Sequence, residues 1–228
     1  MADVAVLLSG GLDSAVVAAH AARAGVVLPI YVSSGLSWER EEVALVERLL
    51  QSAPFRSNVD PLVRLALDVS DIYPDAHWAR QGSPPAYDTP DEDVYLPGRN
   101  VLLLSKAGVL CALRGIPRIA IGSLAGNPFP DATPGFLASM SQTLSLGLAH
   151  SLTVEAPFSS MHKDDVIALG VSIGVPFELT LSCMNPAEGR HCGLCSKCRE
   201  RRDGFAAARV ADPTDYLAKS PRKTAGSG

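Results

Sequence analysis

Short apolar runs alternate with amphipathic stretches from the first residues of the chain onward. Residues 4–8 read VAVLL, the kind of run that a parallel sheet buries on both faces. A helical pattern follows over 12–24, with Gly25 placed to end it as a C-cap. The alternation then repeats. Strands are predicted over 26–32, 62–69, 118–121 and 151–155, and helices over 38–50, 96–113 (entered through a loop), 136–148 and 164–170. Asn100 is a candidate helix cap. A short basic helix is expected after Cys198, and the polar tail from Ala211 is expected to fray. Two Pro-rich segments, 73–93 and 127–134, break the pattern and read as long loops of the functional kind. Strands alternating with helices imply a parallel sheet covered on both faces. Ligands of such sheets sit at the carboxyl ends of the strands, near a topological switch point.

Composition narrows the class. The chain has 228 residues, 47% of them apolar, which suits one domain with a small appendage. No run approaches the roughly 20 apolar residues of a membrane span, and the start lacks a basic leader. A cytoplasmic protein with no membrane partner is expected. The net charge of −4 argues against a protein that coats nucleic acid, so no nucleic-acid partner is expected. The cluster Arg199, Arg201 and Arg202 leaves a local anionic partner open. Four of the five cysteines lie between 183 and 198; the fifth, Cys111, falls in an apolar helix and reads as core. In a cytosolic chain that clustering points to metal rather than disulfides.

The first strand-to-helix turn carries Leu8-Ser9-Gly10-Gly11-Leu12-Asp13-Ser14. Two glycines let the backbone turn tightly and converge its N–H groups. The helix start behind them adds free N–H groups and a positive dipole end. Ser9 and Ser14 can donate hydroxyl hydrogen bonds to phosphate. Asp13 would repel phosphate alone, so its natural work is to hold a Mg²⁺ that bridges the phosphates. A bare Gly-Gly would be only a turn; the six residues Ser9 to Ser14 directly after an apolar strand favour phosphate binding. The motif is not a Walker A loop, since no Gly-Lys-Ser/Thr follows. It resembles the pyrophosphate loop of the N-type ATP pyrophosphatases, which include GMP synthetase, NAD synthetase and argininosuccinate synthetase. That resemblance implies a Rossmann-like parallel fold, cleavage of ATP between the α and β phosphates, and adenine near Tyr31, Val32 and Ser33 at the end of the second strand.

Cys183, Cys192, Cys195 and Cys198 follow a C-x8-C-x2-C-x2-C spacing. Thiolates two residues apart can turn back onto one ion, and Gly193 permits the knuckle. Four thiolates complete tetrahedral Zn²⁺ and predict a structural site; an iron–sulfur cluster is the rival. His191 reads as an exposed loop histidine beside a set that is already complete. The expected organisation is an ATP-binding α/β domain over 1–180, a four-cysteine knuckle and short helix over 181–210, and a flexible tail over 211–228.

A pyrophosphatase loop joined to a C-terminal cysteine knuckle resembles the 7-cyano-7-deazaguanine synthase family. The likeness also covers Leu96-Pro97-Gly98-Arg99-Asn100, Ile121-Gly122-Ser123, Phe129-Pro130-Asp131, His162-Lys163-Asp164-Asp165 and Arg199. It implies ATP-driven conversion of a 7-deazapurine carboxylate and ammonia to a nitrile through an acyl-adenylate and an amide. Carried over by residue, Asp13 would hold Mg²⁺ and Lys163 would neutralise departing pyrophosphate. Arg99 and Asn100 would face nucleotide or substrate, and Asp131 the edge of the ring. Read without the resemblance, Lys163 and Arg99 are surface cations and Asp131 a turn residue. A homodimer is implied only by the resemblance. The chain departs from the family pattern at 34–38 and at Ala132 and Thr133. A related ligase that stops at the amide or uses another acid or amine, and a tRNA sulfur-transfer enzyme, are the alternatives.

Overall fold

The computed structural model describes residues 1–219. Five strands form one sheet in the order β3-β2-β1-β4-β5, with every neighbouring pair parallel. They are β1 (Val4–Leu7), β2 (Val27–Ser33), β3 (Val63–Ala66), β4 (Arg118–Ala120) and β5 (Thr153–Glu155). The order runs outward from β1 in both directions, so the switch point lies between β1 and β4.

Side chains of successive strand residues point to opposite faces, and β1 shows it. Val4, Val6 and Leu8 pack with α1 (Leu12–Ala22) and α6 (Lys163–Ser172) on one face. Ala5 joins Leu28, Ile30 and Ile119 under α4 (Arg99–Arg114) and α5 (Pro134–Leu148) on the other. Cys111 lies in that second core, fully buried. A third cluster roofs the carboxyl ends of the strands. It joins Trp38 and Leu45, at the start of and within α2 (Glu39–Leu49), to Tyr73, Val94, Leu96, Leu181 and three of the knuckle cysteines. Among the described residues, no helix is long and apolar enough to cross a membrane.

Several expectations need correction. Helix α1 is capped by Arg23, not Gly25. Gly25 is required because a Cβ there would press on the Asp3 carboxylate, whose Oδ2 accepts the Val26 N–H at 2.7 Å. Asn100 is not a cap, since Gly98 holds that position and Asn100 stands inside the first turn of α4. The 73–93 loop contains a short helix, α3 (Trp78–Gln81), and a 3-10 turn at Asp91–Val94. The tail is not frayed from Ala211. Leu217 N–H donates to His191 O at 2.8 Å, and the Arg202 guanidinium lies 3.8 Å over the Tyr216 ring. The part of that expectation covering 220–228 lies outside the described residues.

Candidate active site

The cleft opens where β1 and β4 end, and encloses about 330 Å³. Its floor is the loop after β1. Gly10 adopts φ +82°, and a Cβ there would stand 2.9 Å from a Val46 methyl of α2. The Gly10 carbonyl accepts the Leu181 N–H at 2.8 Å, which ties the loop to the segment leading into the knuckle. Ser14 Oγ donates to Gly11 O at 3.0 Å, and the Ser9 and Ser14 hydroxyl oxygens lie 3.4 Å apart. From β4, Gly122 closes on the start of α1; a Cβ would come within 2.9 Å of Ser14 N. The switch point thus brings Ser9, Gly11, Asp13, Ser14 and Gly122 to one wall. Leu12 also reaches that wall, whereas Leu8 is buried in the core beneath the loop.

Asp13 and Lys163 meet across 150 residues of sequence, with Asp13 Oδ2 2.6 Å from Lys163 Nζ. Lys163 is the first residue of α6 and projects beside the loop. Its second partner is Glu200, whose Oε1 lies 2.8 Å away. Burial works against the Lys163 charge, yet Asp13 and Glu200 hold its pKa above the ordinary lysine value. Burial likewise opposes ionised Glu200, but Lys163 and Lys197 hold it down to about 2. Asp13 Oδ1 is buried without a hydrogen-bond partner among the described residues. A carboxylate on the same cleft wall as the Ser9 and Ser14 hydroxyls offers the hard oxygen ligands that suit Mg²⁺.

The opposite wall carries Arg99, Asn100 and Asp131. Asp131 Oδ2 accepts the Asn100 N–H at 2.9 Å, and the Asp131 carbonyl accepts Asn100 Nδ2 at 2.9 Å. Asp131 therefore satisfies an orphan donor of the α4 N-terminus from a loop 31 residues away. Arg99 lines the cleft, and its Nε is buried with no hydrogen-bond partner among the described residues. Trp38 and Trp78 stack with ring centres 5.9 Å apart and also line it. Tyr31, Val32 and Ser33 are not among the lining residues. Tyr31 is buried and Ser33 Oγ donates to Glu39 Oε2 at 2.6 Å, so β2 faces the cleft through helix α2 instead.

Glu42 was not legible as a site residue. It lines the cleft, and its Oε2 accepts the Tyr31 hydroxyl at 2.8 Å. Burial raises its pKa to about 8, against the pull of Arg99 and the Tyr31 hydrogen bond. Between the ordinary glutamate value and about 8, the folded chain holds this proton and the unfolded chain does not. The stability tied to that proton is complete below the ordinary value and is lost as pH rises through about 8. Glu42→Gln is expected to gain stability relative to the parent as pH rises through this window. Parallel denaturation curves at pH 5 and about pH 8.5 for both proteins would contradict that.

The four-cysteine cluster forms beside the cleft. All four Sγ atoms lie within 4.8 Å of one another. Cys192 and Cys198 sulfurs are 3.9 Å apart and Cys195 and Cys198 sulfurs 3.5 Å apart. Tetrahedral Zn–S bonds of about 2.3 Å place sulfurs roughly 3.8 Å apart, so the set can hold a metal ion of that size. Backbone N–H groups of Asn185 and Cys192 donate to Cys183 Sγ at 3.3 and 3.2 Å, and Leu194 N–H to Cys192 Sγ at 3.3 Å. Such donors compensate the negative charge of clustered thiolates. His191 is buried, contrary to expectation. Its Nε2 accepts the Ser182 N–H at 3.1 Å, and burial lowers its pKa to about 3. Helix α7 (Ser196–Ala207) leaves the knuckle carrying Arg199, which donates to the Tyr87 and Thr89 carbonyls at 2.9 Å and holds the 73–97 segment over the cleft.

A five-stranded parallel α/β sheet with this loop at its switch point has the fold of the N-type ATP pyrophosphatases. The chain belongs to the family described as queuosine biosynthesis protein QueC, whose model matches residues 3–209. A 7-cyano-7-deazaguanine synthase of Methanothrix thermoacetophila is 35% identical over 219 residues, covering 92% of this chain and 96% of its own. Another, from Anaeromyxobacter dehalogenans, is 32% identical over 222 residues, covering 92% and 94%. A solved 4-thiouridine synthetase–RNA complex with bound ATP aligns with 91% of this chain and 51% of its own, at 18% identity and a TM-score of 0.49, too distant to bear on the chemistry.

Proposed function

We propose that this chain is an ATP-dependent carbon–nitrogen ligase that converts 7-carboxy-7-deazaguanine and ammonia to 7-cyano-7-deazaguanine. The observation that carries this is the meeting of the Ser9–Ser14 loop, Lys163 and an unpartnered Asp13 oxygen in one cleft, in a chain whose relatives are synthases of that name. A carboxylate oxygen is a poor leaving group and AMP a good one. In the first stage the substrate carboxylate attacks the α-phosphorus of ATP, and pyrophosphate leaves. Ammonia then adds to the acyl carbon; AMP departs with the original oxygen, and the surplus protons pass to solvent. In the second stage the amide oxygen attacks a second ATP. Loss of AMP and the two amide protons leaves the nitrile.

Each residue has a part. The N–H groups of Gly11 and the α1 start take the β and γ phosphates. Lys163 neutralises charge on departing pyrophosphate. Mg²⁺ bound at Asp13 would supply further neutralisation between the phosphates. Arg99 offers its guanidinium to an anionic oxygen of nucleotide or substrate. Asn100 is held by Asp131, whose second oxygen is available to a ring N–H. Cys183, Cys192, Cys195 and Cys198 would hold Zn²⁺ with four thiolates, a complete ligand set that would make the metal structural. The 73–97 segment, with Trp78, Val94 and Leu96 on the cleft, excludes water that would hydrolyse an acyl-adenylate.

A second reading follows from Ala132 and Thr133 after Asp131 and from the 34–38 stretch, where the family pattern differs. It is the same ligase stopping at the amide. Acid-dependent release of AMP and pyrophosphate tests the shared first stage. ADP and phosphate as products, or release that ignores the acid, would refute it.

A further inference from the structure

The helix that carries the metal cysteines also reaches the phosphate end of the cleft. Cys195 is the N-cap of α7 and Cys198 lies in its first turn. Lys197 stands between them, Glu200 follows, and both line the cleft with Lys163 and the Ser9–Ser14 loop. Glu200 Oε1 is 2.8 Å from Lys163 Nζ, and its Oε2 is 2.6 Å from Lys197 Nζ. One carboxylate thus separates two ammonium groups that come from different helices.

A lysine and a glutamate three residues apart on a helix usually make a solvated pair of little consequence. This pair differs in two ways. Its side chains are each only 26% exposed, and it is joined to a third charge on α6. Helix α7 also packs so closely that a Cβ on Gly204 would collide with the Lys163 stem. The neighbouring Arg201 is not free to help: its guanidinium donates to the Phe177 carbonyl and to the hydroxyls of Thr180, Ser182 and Thr214. Lys197 has no partner except Glu200 among the described residues. Pyrophosphate carries several negative charges, more than Lys163 alone can neutralise.

We propose that Lys197 is a second phosphate-binding cation, held beside Lys163 by Glu200, so that the metal-bearing helix binds pyrophosphate directly. This rests on the phosphate-binding role proposed for the Ser9–Ser14 loop. Inorganic pyrophosphate with Mg²⁺, titrated calorimetrically into the metal-loaded protein, tests it. Lys197→Gln and Lys197→Met are expected to weaken binding about 10-fold or more, the loss of one charge-assisted hydrogen bond. Lys197→Arg is expected to stay within a few-fold of wild type, and metal content and melting temperature to stay unchanged in all three. Equal affinity in wild type and Lys197→Gln would overturn the assignment of Lys197 alone. Absence of pyrophosphate binding by wild type would overturn the phosphate site and this inference with it.

Discussion

Asp13→Asn is expected to lower turnover by about 100- to 1000-fold while leaving the fold intact. The substitution keeps the shape of the side chain and removes its charge. Asp13 Oδ1 has no hydrogen-bond partner among the described residues, an amide oxygen can keep the Oδ2 contact to Lys163, and Lys163 retains Glu200. What would be lost is the carboxylate proposed to hold Mg²⁺ against the phosphates, and removing electrostatic stabilisation of that kind costs on that order in kcat. Unchanged melting temperature with collapsed turnover is the expected pair of results. Turnover within a few-fold of wild type would remove Asp13 from the chemistry.

Cys195→Ala is expected to act on structure instead. Structural zinc contributes on the order of 10–16 kcal/mol of apparent binding free energy, coupled to folding. Cys195 is buried, caps α7, and bridges to Ala86 of the roofing segment. Its loss should release the metal and loosen α7 together with Glu200 and Arg199, and the protein should become insoluble or melt far lower. Metal analysis of wild type should return one zinc per chain. A soluble variant of normal melting temperature without metal would contradict a structural role.

The parts of the site that could be read in advance are local in sequence. Ser9 to Ser14 are consecutive, and the four cysteines span only sixteen positions, so spacing alone pointed to the cleft loop and to a cluster able to hold a metal. Glu42, Glu200 and Arg201 were hidden because charged residues on helices ordinarily face water. They are enclosed here by elements distant in sequence: Glu42 by Tyr31 of β2, Glu200 by Lys163 of α6, and Arg201 by the 177–182 segment. A signal for Glu42 did exist, because it falls one turn after Trp38 on the same helical face. The tail misled for a similar reason. Its polar composition fits a frayed end, but its order comes from backbone bonds to His191 and Cys192 that composition cannot record. Strand positions were legible because an apolar run in a parallel sheet needs no partner to be recognised, while strand ends shifted by up to three residues.

Mass spectrometry of the organic product tests the central claim most directly. The protein would be incubated with ATP, Mg²⁺, ammonium and 7-carboxy-7-deazaguanine. The acid, amide and nitrile differ in mass, so one spectrum separates the outcomes. The account predicts the nitrile, with AMP and pyrophosphate formed twice for each acid consumed; an acid recovered unchanged while wild type binds pyrophosphate would contradict it.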